Sequence, residues 1–225
     1  MSPLDAAICA RIAYETAGGA IAARFGYSYA PVASRDHFAW IGRKKGLTVV
    51  AFRGSTFAGR EARGSISNLS TDLIRWSGEG RVHAGYYQGL WQLLGAVQRE
   101  LRGRAGELVL TGHSMGAALA TLAATLLEAE RVHAFASPRL GNRAFAESYP
   151  RAIRVTRYVN RCDVLARMPI SGEVQGSNPP FRERYCHIGR PVRLPGLGHS
   201  MSAYIEGLRL HRRGLRSHPS TEQGE

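Results

Sequence analysis

Apolar positions along this chain fall into two kinds of run that alternate. Short apolar blocks bounded by polar or glycine-containing stretches read as buried strands: His37 to Gly42, Leu47 to Phe52, Glu107 to Thr111, Val132 to Ala136, and the stretch near Ile153 to Asn160. Longer segments between them read as helices: Leu4 to Thr16, Gly85 to Arg102, Ala117 to Glu128 and a short one near Ala144 to Tyr149. The third of these is rich in Ala and Leu and free of Gly and Pro, as a buried helix requires. Alternating strands and helices predict an α/β fold with a mostly parallel central sheet flanked by helices on both faces. Ser55 to Gly80 reads as a polar insertion, Ser171 to Pro180 as a Gly/Ser/Asn/Pro loop, and Leu194 to Gly198 as a flexible loop that reaches over the sheet. No internal repeat is visible. At 225 residues the chain fits one domain, expected over residues 1–212, with a disordered basic tail at 213–225.

The chemistry is concentrated where one strand gives way to a helix. Leu108-Val109-Leu110-Thr111 runs into Gly112-His113-Ser114-Met115-Gly116, a G-x-S-x-G turn followed at once by a small-residue helix. This is the pattern of a nucleophile elbow, in which glycines let strand and helix approach closely while the serine hydroxyl is lifted out of the sheet. G-x-S-x-G is common by chance, and the flanking strand and helix give it meaning. Ser114 is the candidate nucleophile.

A serine hydroxyl needs a base, and the base needs a group to orient it. With the chain order Ser, acid, His, Asp163 is the only aspartate after Ser114, and it follows a predicted strand end. Glu173 and Glu183 compete as acids from a Gly/Pro-rich stretch. Four histidines follow: His187 within an alternating strand-like segment, His211 among arginines on the last helix, His218 in the tail, and His199 after the Leu194 to Gly198 loop. His199 is the choice for general base. For the oxyanion, one donor is the Met115 N–H, just after the nucleophile, and the other is expected at Ser55, after the strand Leu47 to Phe52.

Phe52-Arg53-Gly54-Ser55, Asn68 to Leu73, Val82-His83-Ala84-Gly85-Tyr86, the elbow, Ser137 to Asn142, and Arg157-Tyr158-Val159-Asn160 leading to Asp163 occur in an order that resembles the class 3 lipases. These are relatives of the filamentous-fungal triacylglycerol lipases, and the resemblance extends over roughly residues 4 to 210. It implies an α/β-hydrolase fold with Ser114 as nucleophile, Asp163 and His199 as its partners, and Ser55 with Met115 at the oxyanion. It also implies a carboxylic-ester hydrolase that cleaves acylglycerols or other lipid esters through an acyl-enzyme, with no cofactor and no metal. Two departures stand out: Met115 where Leu is common, and Gly198 where an acidic residue often precedes the histidine. A phospholipase or acyltransferase would use the same residues, and a silent relative would bind lipid or polyanions without turnover.

The insertion supplies a candidate lid at residues 56–80. Ile66, Leu69 and Leu73 are spaced three and four apart, so they form one apolar stripe that either covers the site or packs on the core. Net charge is +13, almost entirely arginine, with Lys44 and Lys45 the only lysines. No nucleic-acid-binding motif accompanies it, so no specific nucleic acid is expected. The charge fits attraction to an anionic membrane or lipid surface, and an arginine-rich composition accounts for it equally. Cys9, Cys162 and Cys186 are odd in number and widely spaced, so reduced thiols are expected. The first residues read as a helix of the fold rather than a leader, which makes a cytoplasmic location the expectation, with secretion after signal removal as the alternative.

Overall fold

The computed structural model describes residues 1–55, 72–169, 173–177 and 180–217. In chain order the elements are α1 (Pro3–Ile12), α2 (Gly18–Arg24), β1 (Ala30–Ala33), β2 (Phe38–Lys44), β3 (Leu47–Phe52), β4 (Leu73–Arg75), β5 (Arg81–His83) and α3 (Ala84–Glu100). They continue with β6 (Glu107–His113), α4 (Met115–Leu127), β7 (Arg131–Phe135), α5 (Arg143–Ser148), β8 (Arg154–Arg161), β9 (Glu173–Ser177), β10 (Pro180–Arg184), β11 (Arg190–Leu197) and α6 (Met201–Ser217). Among the described residues one sheet takes the order β1-β2-β3-β6-β7-β8-β11. β3, β6, β7, β8 and β11 run parallel, and β1 and β2 close one side antiparallel.

Strand alternation assigns each face of the sheet its own core. Val50, Phe52, Leu108, Leu110, Val132 and Ala134 pack with Leu90, Leu93, Val97, Leu119 and Leu122 of α3 and α4. On the other face, Trp40, Val49 and Ala51 pack with Cys9 and Ile12 of α1, and Phe135, Tyr158 and Leu194 pack with Tyr204, Ile205 and Leu208 of α6. Burial on both faces is why the central strands are nearly unbroken apolar runs.

Several expectations change. The first helix ends at Ile12, and a second begins at Gly18. The polar insertion is shorter than Ser55 to Gly80 suggests: Leu73–Arg75 pairs antiparallel with Arg81–His83, and Leu73 and Trp76 are buried, Trp76 edge-on to Tyr87 and Phe145. This part of the candidate lid 56–80 therefore packs on the core, while residues 56–71, with Ile66 and Leu69, lie outside the described residues. The expected loop at Ser171 to Pro180 contains β9 and the start of β10, which pair with each other. The Leu194 to Gly198 segment is not a free loop: through Leu197 it is the end of β11, paired with β8 across an irregularity between Leu194 and Leu197. His187 falls outside the strands. The last helix packs on α1 and β11 through Met201, Tyr204, Ile205 and Leu208 and continues through Ser217, past the boundary expected at 212; residues 218–225 lie outside the described residues.

Candidate active site

Parallel strands deliver their following residues to one edge of the sheet, and the candidate groups hang from four strand ends. Ser55 follows β3, Ser114 follows β6, Asp163 follows β8 and His199 follows β11. The turn at Ser114 is tight. Its φ of 56° lies in the left-handed region that a side chain seldom enters, and its N–H is held by the Phe135 carbonyl at 2.9 Å. A Cβ on Gly112 would stand 2.2 Å from the Gly116 carbonyl oxygen, and one on Gly116 would stand 2.2 Å from that of Phe52. Both glycines are therefore fixed by close backbone approach, as the elbow requires.

The His199 imidazole joins the other two groups. Its Nε2 is 3.0 Å from Ser114 Oγ, and its Nδ1 is 3.0 Å from both oxygens of Asp163. The Asp163 carboxylate is buried and also accepts from the Tyr204 hydroxyl at 2.6 Å and the Leu165 N–H at 3.1 Å. Burial alone raises an Asp163 carboxyl, but hydrogen bonding and charge from His199, with the bonds from Tyr204 and Ala166, outweigh it and hold the group below the usual carboxylate range. With an ionised Asp163 at Nδ1, that nitrogen carries the proton and Nε2 is free to accept from Ser114.

A second set of bonds fixes the frame around the imidazole. His113 Nε2 donates to the His199 carbonyl at 2.6 Å. That leaves His113 Nδ1 to accept from the Tyr14 hydroxyl at 2.9 Å, and Tyr14 in turn accepts from the Gly54 N–H at 3.0 Å. This relay ties the backbone beside Ser55 to the backbone of His199 through the residue preceding the serine. Burial, then the nearby His199, pushes His113 down to about 3, so it is neutral at ordinary pH. Asn160 completes the frame: its Nδ2 donates to the Gly198 carbonyl at 3.0 Å, and its N–H donates to Tyr204 at 3.2 Å.

Ser55 and Met115 stand together beside the nucleophile. Ser55 Oγ is 3.8 Å from Met115 Sδ, and the two line a small crevice with Ser114, Tyr86, Pro138, Leu165 and Met168. As the first residue of α4, Met115 has no helical acceptor for its N–H. Apart from the two serines this lining is largely apolar, and Val164 and Leu197 nearby are 59% and 69% exposed, so apolar surface rims the same edge.

All five residues singled out from sequence thus lie on one edge. The competitors do not join them: Glu183 is engaged by Arg81 at 2.6 Å and by Asn142 at 2.7 Å, and His211 lies in a groove with Pro3 and Leu208. His187 is half-buried beside Arg157 and Arg139, and His218 and the Glu173 side chain lie outside the described residues. Tyr14 and Tyr204 were not singled out, and His113 and Asn160 only as motif positions. Among the described residues no group of three or more His, Cys, Asp or Glu side chains is arranged to hold a metal ion.

A serine on a strained strand-to-helix turn, at the carboxyl edge of a mostly parallel sheet covered on both faces, defines an α/β-hydrolase. Within that class the chain belongs to the class 3 lipase family, whose model, Lipase (class 3), matches residues 49–173. A curated relative, secreted mono- and diacylglycerol lipase A of Penicillium cyclopium, is 41% identical over 69 residues, 28% of this chain and 23% of the relative. The match therefore spans under a quarter of that relative's length. A lipase from Rhizopus microsporus var. chinensis superposes with a TM-score of 0.65 at 20% identity, covering 88% of this chain and 74% of the other. A mutant of the Penicillium cyclopium enzyme gives 0.60 at 22% identity, covering 88% and 78%. At these identities the likeness is one of fold.

Proposed function

We propose that this chain is a serine ester hydrolase of lipid substrates that works through an acyl-enzyme. The observation that carries the reading is His199 bridging Ser114 and Asp163 at 3.0 Å on each side. In the proposed cycle Ser114 Oγ attacks the ester carbonyl carbon as its proton passes to His199 Nε2, and Asp163 steadies the imidazolium. The oxyanion is held by the Met115 N–H and by Ser55, and collapse expels the alcohol, which takes the proton from His199. Water, activated by the same imidazole, then releases the carboxylic acid.

The apolar crevice and the exposed Val164 and Leu197 support a lipid ester, and peripheral contact with a lipid surface is proposed at this rim. The names of the Penicillium relatives support an acylglycerol and, against the cytoplasmic expectation, export from the cell. The test is release of nitrophenol from a short-chain nitrophenyl ester by the full chain. A burst followed by steady turnover is expected, with Ser114→Ala lowering the rate to background; an unaltered rate in that variant refutes the assignment. Turnover of mono-, di- and triacylglycerols of one acyl length then ranks the head groups.

A further inference from the structure

The topology that brings the candidate catalytic groups to one edge brings much of the positive charge to the other. β3, β6, β7, β8 and β11 begin at the edge opposite Ser114, and Arg131 stands beside Arg154 in the register of β7 and β8. The turn from β2 into β3 carries Lys44 and Lys45, and the segment between α3 and β6 carries Arg102 and Arg104. The chain's first residue is anchored here too, its amino group 3.9 Å from Glu107 at the start of β6. α6 runs back to the same pole, since Leu208, Arg209 and Arg212 share a groove with Pro3 and Leu4.

The carboxylates present do not balance this charge. Glu107 is engaged by Arg131 at 2.7 Å, Glu130 accepts the Leu108 N–H at 2.7 Å, Asp5 accepts from the Ser2 hydroxyl at 2.7 Å, and Glu100 and Glu128 remain. Lys45, Arg102, Arg104, Arg151, Arg154 and Arg212 have no carboxylate within ion-pair distance among the described residues, and all but the half-exposed Arg104 are exposed. Arg43, Lys44, Lys45 and Arg104 also line a concave cleft beside Gly46 and Gly103; Arg43 donates there to the Glu100 carbonyl, Lys44 to that of Phe25 at 2.9 Å and Arg104 to that of Gly106 at 3.3 Å, each keeping its positive charge at the pole.

We propose that this basic pole is a second binding site, for a linear polyanion bearing phosphate or sulfate groups, held by charge and leaving the Ser114 edge facing outward. A lipid bilayer is the less fitting occupant. The apolar rim at Val164 and Leu197 lies at the other ends of the strands, on the order of 20 Å away at about 3.3 Å per residue, so a bilayer held at the pole stays out of reach of the serine.

The test uses the full chain, with random-sequence duplex DNA, polyphosphate and heparin as probes, titrated against salt. The pole variant Lys45→Glu/Arg104→Glu is expected to weaken duplex association about tenfold or more at low salt. It is also expected to flatten the log K against log salt slope by about 0.9 for each phosphate that the variant no longer neutralises. A control of equal net charge on the catalytic edge, Arg35→Glu/Arg161→Glu, is expected to change association less than about threefold. Polyphosphate and heparin separate phosphate from sulfate as the preferred group. Equal weakening by both variants means that net charge alone binds, and anionic vesicles outcompeting every polymer means that the partner is a bilayer; either result overturns the proposal. The binding arms stand whether or not Ser114 is a nucleophile. A last arm rests on that reading: chain saturated with polymer is expected to react with a fluorophosphonate at the free rate, and blocked labelling, where the free chain labels, places the polymer at the mouth instead.

Discussion

Replacing Tyr204 with Phe removes a single oxygen from the most constrained corner of the site. That hydroxyl donates to Asp163 Oδ2 at 2.6 Å and accepts the Asn160 N–H at 3.2 Å, and the side chain has no exposure. The ring stays, so its edge contacts with Phe135 and His113 persist and no cavity beyond one oxygen opens. Loss of a hydrogen bond to a charged group costs about 1.5–3 kcal/mol, and a buried N–H left without a partner costs about 1–3 kcal/mol. Because one atom serves both bonds and Asn160 has some freedom to shift, the expected loss of stability is about 3 kcal/mol rather than the full sum. Asp163 also loses one of the groups that hold its carboxyl down, so its pKa rises. A depressed carboxyl contributes stability above its unfolded value, near 3.9, and loses it as pH falls through the folded value; in the variant that contribution shrinks. At pH 7 Asp163 stays ionised and still holds His199, so kcat on a soluble ester is expected to fall about tenfold with KM little changed. Urea unfolding at pH 7, with kcat and KM measured from pH 5 to 9, reads all of this. A stability change below about 0.5 kcal/mol together with unchanged kcat would show that the hydroxyl neither supports nor orients the carboxylate.

Gly116→Ala places a carbon 2.2 Å from the Phe52 carbonyl oxygen, which α4 avoids only by moving off β3. A loss of about 3 kcal/mol is expected, a fall in Tm of roughly 6–12 °C by thermal melting, and an unchanged Tm refutes the close approach. Acid sensitivity is expected well above the range of Asp163, because burial lowers His83 to about 4, His113 to about 3 and His133 to about 4. An unfolded histidine takes up its proton near 6.5 while these stay neutral, so stability is lost as pH falls below about 6.5, by about 2 kcal/mol for each at pH 5. Urea unfolding at pH 7 and pH 5 measures the difference, and equal stability at both refutes the buried neutral state.

Much of this site was legible because the chain carries it in local patterns. β3 starts and ends where its apolar run does, and the elbow is defined by residues a few positions apart, whose glycines are required by contacts that the motif itself creates. β11 was hidden for a physical reason. Among the described residues it is an edge strand, with Arg190 and Arg193 exposed and Pro191 and Pro195 tolerated because one side of its ladder has no neighbour there, so it lacks the apolar run of the inner strands. β9 and β10 are short and, among the described residues, pair only with each other, within a stretch whose Gly, Ser, Asn and Pro residues read as a loop. Tyr14, Asn160 and Tyr204 acquire their roles from tertiary packing: they are ordinary positions in the turn after α1, in β8 and in α6, and only the assembled sheet sets a hydroxyl or an amide against a histidine, a backbone carbonyl or a carboxylate.

The sheet order has a consequence for timing. The imidazole at 199 follows an edge strand of the described sheet, later in the chain than the sheet's other strands, and it seats only against an acid borne by the strand beside it. A partly made or frayed molecule therefore has its alcohol on the elbow but nothing to take the proton. The proposed hydrolysis therefore needs that edge strand docked, and its loss on mild denaturation should precede that of the inner strands.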